Sequence, residues 1–297
     1  MARRYAVVAL ALVTLSGCGG SGGGARDVSA HQTTPANAQA ASWWRPAVGV
    51  GWQWQLSGKI DTSVNAAVYD VDMFETPKAT VTALHRYGRK VICYVSIGSA
   101  EEGRPDYKAF PKSTLGKKLD GWPKERWVDI RRIDVLERIW AARLDQCKAK
   151  GFDGVEPDNV DAYQNDSGFA LTARHQIAFN RMLARVAHQK GLAIGLKNDL
   201  DQIPSLVKNF DFAVNEQCAE YRECAALKPF IAAGKPVFHA EYNLPLSKFC
   251  PDSKRLHLSS IRKTLDLTAK MQTCPGNHLP PAPAPERAPL SNLGNAN

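Results

Sequence analysis

No segment of this 297-residue chain is apolar for long enough to span a bilayer as a permanent helix. The longest apolar run, residues 6–15, is about half the required length. Paired CxxC motifs are absent, and no histidines stand at metal-ligand spacing, which argues against a structural zinc site. A glycine-rich phosphate loop after the first strand is also missing, and with it the usual signature of a nucleotide-binding sheet. Charge is not scarce: the formal balance is +9. However, the basic residues are scattered along the predicted helices, while the acids gather at predicted strand ends. This pattern describes a solvated exterior and gives no basis for a nucleic-acid partner.

The first seventeen residues read as a secretory leader. Arg3 and Arg4 form its charged start, residues 6–15 its apolar core, and their removal lowers the formal charge by two. Leu15-Ser16-Gly17-Cys18 resembles a bacterial lipobox, with cleavage before Cys18 and lipid on its sulfur. The expectation is a secreted protein, lipid-anchored through Cys18 to the cell envelope, at the outer membrane in a Gram-negative cell. Gly19 carries no aspartate signal for inner-membrane retention. Residues 18–42 are rich in Gly, Ser, Ala, Gln and Thr and predict a flexible tether. Residues 275–297 are rich in Pro and Ala and predict a disordered tail.

Between them, residues 43–274 hold the folded domain. Setting Cys18 aside, six cysteines remain, an even number suited to an oxidising compartment. Cys218 and Cys224 lie close enough for a local bridge. Cys250 and Cys274 could staple the C-terminal segment. That leaves Cys93 and Cys147, whose union would pin a helix to a strand; spacing alone does not fix the connectivity.

Strand-like runs at 48–56, 66–72, 91–97, 152–155, 192–196, 212–214, 236–240 and 258–264 alternate with helical spacing at 77–87, 135–150, 171–190, 203–208 and 224–233. Residues 103–132 predict a loop excursion over the strand ends. About eight strands with short links predict a (β/α)₈ TIM barrel; a doubly wound open sheet is the competing architecture. The acids favour the barrel. Asp72, Glu101, Asp158, Glu216 and Glu241 each follow a different strand, and only a closed ring gathers them around one mouth.

Carboxylates gathered in this way raise one another's pKa values. A protonated acid beside an ionised one is what glycosidic cleavage requires. The densest cluster is Gly-Phe-Asp-Gly-Val-Glu-Pro-Asp-Asn-Val-Asp at 151–161, where Glu156, Asp158 and Asp161 fall within six residues. Trp52, Trp54, Tyr94, Tyr163 and Tyr242 offer flat faces to sugar rings, against the alternative of core packing. Lys197 and Asn198, at a strand end, could hold hydroxyls or keep a carboxylate ionised.

Several spaced motifs carry a resemblance. They are Val-Ile-Cys-Tyr-Val-Ser-Ile-Gly-Ser-Ala-Glu at 91–101, Trp-Val-Asp-Ile-Arg at 127–131, and the 151–161 stretch. Gly-Leu-Lys-Asn at 195–198, Asn-Glu-Gln-Cys at 215–218 and Glu-Tyr at 241–242 complete them. In this order they resemble glycoside hydrolase family 114, the endo-α-1,4-polygalactosaminidases. The resemblance implies a barrel that hydrolyses α-1,4-linked galactosamine-rich polymer, with Asp158 and Glu216 as the catalytic pair. Pro157 leaves the strand register open between Glu156 and Asp158, so Asp158 rests partly on the resemblance. A monomer is expected, with a polysaccharide as partner and neither cofactor nor metal. Two other readings stand beside it: a surface-anchored glycan-binding barrel without turnover, and a metal-dependent hydrolase on the same fold. His239 is the one histidine in a predicted strand, and its simplest role is core packing.

Overall fold

The computed structural model describes residues 42–275. The leader, Cys18, the tether up to residue 41 and the tail beyond residue 275 lie outside the described residues.

The chain enters with β1 (Trp52–Gln55), β2 (Val68–Asp72), α1 (Lys78–Arg86) and β3 (Lys90–Ser96). It then departs from strand-helix alternation through β4 (Ser99–Glu101), β5 (Leu115–Leu119) and β6 (Trp122–Val128). Next come α2 (Ile133–Lys150), β7 (Gly154–Asp158), α3 (Ala173–Gln189), β8 (Ala193–Lys197), α4 (Ile203–Leu206) and β9 (Phe212–Glu216). The domain closes with α5 (Lys228–Ala232), β10 (Val237–Glu241), α6 (Leu246–Arg255), β11 (Ser259–Arg262) and β12 (Gln272–Thr273).

Eight strands run parallel in the order β1-β2-β3-β7-β8-β9-β10-β11, as the (β/α)₈ reading requires. The seam between β1 and β11 shows no paired ladder among the described residues. Instead, Trp52 Nε1 donates to the Ser259 carbonyl at 2.8 Å and Gln53 Nε2 to that of Ala269 at 2.8 Å. The Leu56 N–H donates to the Leu267 carbonyl at 3.0 Å, so residues 264–271 sew the ring shut.

Side-chain alternation along each strand sorts the core into two layers. Trp52, Trp54, Val68, Ile92, Phe212, Val214, Phe238 and Ala240 fill the barrel. Gly195 belongs to this inner layer because a Cβ there would lie 2.3 Å from the Phe212 ring. The outer layer packs sheet against helices. Helix α2 buries Leu136, Ile139, Trp140, Leu144 and Cys147 at three- and four-residue spacing, and Gly151, at φ +97°, ends it. Thr172 caps α3 through a reciprocal box with His175.

Three disulfides join Cys93–Cys147, Cys218–Cys224 and Cys250–Cys274. The first fastens α2 to β3, closing a separation of 54 residues. By the loop-entropy account, that bridge contributes on the order of 4 kcal/mol.

Residues 103–132 are more ordered than a loop. They hold most of an antiparallel sheet, β4-β6-β5, whose hairpin turns at Asp120 and Gly121, the glycine at φ +76°. Lys117, Lys118, Lys124, Glu125 and Arg126 remove the apolar alternation by which strands are read. Helix α6 is likewise absent from the sequence reading. It buries only Phe249 and Ser253, is otherwise mostly polar and contains Pro251, so it reads as a loop.

Candidate active site

The inward positions at the C-terminal strand ends line a cleft of about 760 Å³. Lys197, from β8, is at its centre and is almost fully buried. Its ammonium lies 2.9 Å from Glu156 Oε1, 3.0 Å from Asp158 Oδ1 and 3.3 Å from Glu216 Oε2. One cation thus serves three carboxylates from β7 and β9. It also lies 4.7 Å from the centre of the Trp54 ring. Burial alone would lower its pKa, but Asp158, Glu156 and Glu216 together raise it well above that of a free lysine.

Asp158 and Glu216 each receive a phenol. Tyr94 Oη donates to Asp158 Oδ2 at 2.7 Å, and Tyr242 Oη donates to Glu216 Oε1. Asn198 clamps Glu216 at both ends, donating from Nδ2 to Oε2 at 3.3 Å and accepting the Glu216 N–H at 3.0 Å. Burial pushes the Asp158 carboxyl upward. The Lys197 charge and the Tyr94 and Lys197 hydrogen bonds outweigh it, so Asp158 is held below the usual carboxylate range. Both acids lie within reach of one nitrogen, so those two oxygens are at most about 6.3 Å apart.

A backbone feature recurs here. Asn159, Asn198 and Gln217 directly follow Asp158, Lys197 and Glu216, and all three are left-handed, at φ 61°, 50° and 60°. Non-glycine residues seldom adopt this conformation, and asparagine bears it best. Each turn halts its strand with the functional side chain at the rim. Gly98 permits the turn at Asn159, since a Cβ there would lie 1.6 Å from the Asn159 carbonyl oxygen.

Beneath the mouth lies a second acidic layer. Glu156 is fully buried, and so is Asp70 on the same inner face. Burial first, and Glu156 second, raise Asp70 well above the ordinary range. Burial also leaves Glu156 raised, despite the opposing pull of Lys197. On the flank, Arg104 pairs with Asp72 at 2.7 Å and Glu101 at 2.9 Å. Burial raises Glu125 to about 7 and Asp161 to about 6; neighbouring acids add to both.

The cleft therefore gathers Asp72, Tyr94, Glu101, Asp158, Asp161, Lys197, Asn198, Glu216 and Tyr242. Three residues named from sequence stand elsewhere. Trp52 lies a layer deeper, packed on Trp54 and Phe238. Glu241 is fully buried on the outward face of β10, accepting from the Ala219 N–H at 2.8 Å and contacting His239 at 2.9 Å. Tyr163 is outside the cleft lining, with its oxygen accepting from Gln164. His239 takes the packing role expected of it, bonded to Ser260 and set edge-on to Phe249. Sequence reasoning missed Arg104, Glu125, Trp122 and Trp127, all in or beside the antiparallel excursion.

Behind the mouth, burial and Asp161 push the Asp199 carboxyl up to about 8. Folded Asp199 keeps its proton to that pH, whereas an unfolded aspartate loses its proton near ~4. Between these values the folded state holds the extra proton, so stability falls as pH rises. Asp199→Asn removes the group that must ionise. Its melting temperature is expected to exceed wild type at pH 8, by on the order of a few kcal/mol in stability, and to converge with it near pH ~4. An equal loss at both pH values would contradict this account.

A barrel whose mouth presents two facing carboxylates, one of them held ionised, has the form of a glycosidase. The comparisons agree: the profile of glycoside-hydrolase family GH114 matches residues 32–278, and the chain belongs to that family. The crystal structure of Aspergillus fumigatus Ega3, solved in complex with galactosamine, is 43% identical. It superposes with a TM-score of 0.75, over 78% of this chain and 98% of that one. The glycoside hydrolase domain of Pseudomonas aeruginosa PelA shares the fold at 13% identity and a TM-score of 0.60, over 75% of this chain and 98% of its own. An uncharacterized protein of Deinococcus radiodurans is 28% identical over 271 residues, covering 78% of this chain and 86% of its own.

Proposed function

We propose that this glycosidase cuts α-1,4-linked, galactosamine-rich polysaccharide internally and with retention of configuration. The single Lys197 ammonium shared by Asp158 and Glu216 carries this reading. It gathers both carboxyls around one nitrogen, their nearest oxygens no more than about 6.3 Å apart, so that the pair can flank a single glycosidic bond, and Asp158, held ionised, is the member suited to attack.

Asp158, held ionised, attacks the anomeric carbon. Glu216 gives its proton to the departing glycosidic oxygen, and a glycosyl ester forms on Asp158. Water then attacks the same carbon: its oxygen bonds there while Glu216 takes one of its protons and the C–O bond to Asp158 breaks, and both carboxyls return to their starting states. Tyr94 and Tyr242 orient the pair. Asp72, Glu101 and Asp161 give the cleft an acidic lining that suits the ammonium groups of deacetylated units. The galactosamine bound in the Ega3 structure supports this choice of sugar.

The test is to incubate purified protein with deacetylated and with fully acetylated polygalactosamine, resolving the products by mass and following the first anomer by NMR. Deacetylated polymer is expected to be cut faster, and the α anomer to appear first. Equal rates would remove the sugar assignment, and a β anomer appearing first would remove Asp158 as nucleophile. The lipobox at Leu15 to Cys18 supports a lipid anchor at Cys18, with display on the cell envelope, as part of the same proposal.

A further inference from the structure

Trp122 has no part in the chemistry above, yet its position calls for an occupant. It opens β6 directly after the hairpin turn, and 59% of its surface meets solvent. The other indoles of the cleft lining, Trp54 and Trp127, are buried. An uncovered indole leaves in water apolar surface that burial against a partner would remove.

The hairpin that carries Trp122 is braced. Arg126 Nε donates to the Gly116 carbonyl at 2.8 Å, across the two strands. The Lys117 N–H donates to the Ser167 carbonyl at 2.9 Å, and the Glu102 N–H to that of Lys124 at 2.7 Å. Gly116 presses so closely on residues 167–169 that a Cβ would lie 2.1 Å from the Ser167 oxygen. The base of the hairpin is thus packed down, and it carries the indole at its exposed tip.

Trp122 lines the same cleft as Asp158 and Glu216. It stands five residues along β6 from Trp127, roughly 16 Å at the rise of an extended strand. A polymer crossing the exposed rim would set one of its units against this indole while another occupies the carboxylate pair. The indole face matches the C–H face of a pyranose, and a nearby ammonium would gain from the ring's negative face.

We infer that Trp122 is a remote stacking platform for a pyranose unit of an extended polymer, so that the enzyme favours long chains over short ones. This rests on the polysaccharide reading of the site. The platform contributes equally to ground state and transition state, so it acts on KM and leaves kcat in place.

The experiment compares wild type, Trp122→Ala and Trp122→Phe on deacetylated galactosamine oligomers of increasing length. For Trp122→Ala, KM on the longest chains is expected to rise about tenfold with kcat unchanged. On the shortest oligomers that wild type cuts, the two should match. Trp122→Phe should recover most of the loss, and all three should melt together, because the side chain is exposed. Equal KM for wild type and Trp122→Ala at every length would overturn the platform, and so would a rise independent of length. Wild type that cuts no oligomer would instead remove the function itself, and the two failures are distinguishable.

Discussion

Asp158→Asn and Glu216→Gln are each expected to lower turnover of deacetylated polymer by at least about a thousandfold. Each exchange keeps the size of the side chain. An amide oxygen at position 158 can still accept from Lys197 or Tyr94, and one at position 216 from Tyr242 or Asn198. Stability should therefore stay within about 1–2 kcal/mol of wild type. The chemistry does not survive in the same way. An amide at 158 has no charge with which to attack, and an amide at 216 has no proton acidic enough for the leaving oxygen. Steady-state rates beside melting curves separate the two effects. A purified, folded variant with near-normal turnover would remove that residue from the reaction, and Glu156 would be the next acid to test.

Lys197→Met should be the most damaging single change to the fold. It leaves Glu156 and Asp158 in a buried mouth without their shared counter-charge. Breaking such a pair from one side costs about 3–5 kcal/mol, which for a chain of this size is roughly 6–20 °C in melting temperature. The deficit has a direction in pH. The wild-type lysine gains affinity for its proton on folding, so its contribution is complete throughout the neutral and acid range. In the variant the stranded carboxylates instead take up protons as pH falls, and each proton bound removes a buried charge. The gap to wild type should therefore be wider at pH 8 than at pH 5. Equal melting temperatures at pH 8 would mean that the three acids do not depend on this cation.

Much of this site was readable from sequence because strands report their ends. Acids just past apolar runs put Asp158 and Glu216 among five candidates, the family resemblance singled them out as the pair, a lysine at a strand end before Asn198 marked Lys197, and those three do meet. What the readable pattern lacked was parity and depth. Glu241 ends β10 and Tyr242 is the next residue, so only one of them can face the barrel axis. With Phe238 and Ala240 inward, that one is Tyr242. Trp52 and Trp54 share a face, but which of them reaches the mouth depends on the stagger of the ring, and no short stretch encodes it. On β7, Glu156 and Asp158 share the inner face, and Pro157 does not shift the register. The antiparallel excursion stayed hidden because its strands alternate charges with charges. Arg104, Glu125 and Trp122 were lost with it.

The left-handed residues at 159, 198 and 217 bear on how such a cleft could be remade. They end their strands by main-chain geometry, without relying on what the following loops contain. Those loops could be lengthened, shortened or exchanged, and Asp158, Lys197 and Glu216 would keep their places. A scaffold with that separation can be fitted to polymers of other shape while its cutting edge is left alone.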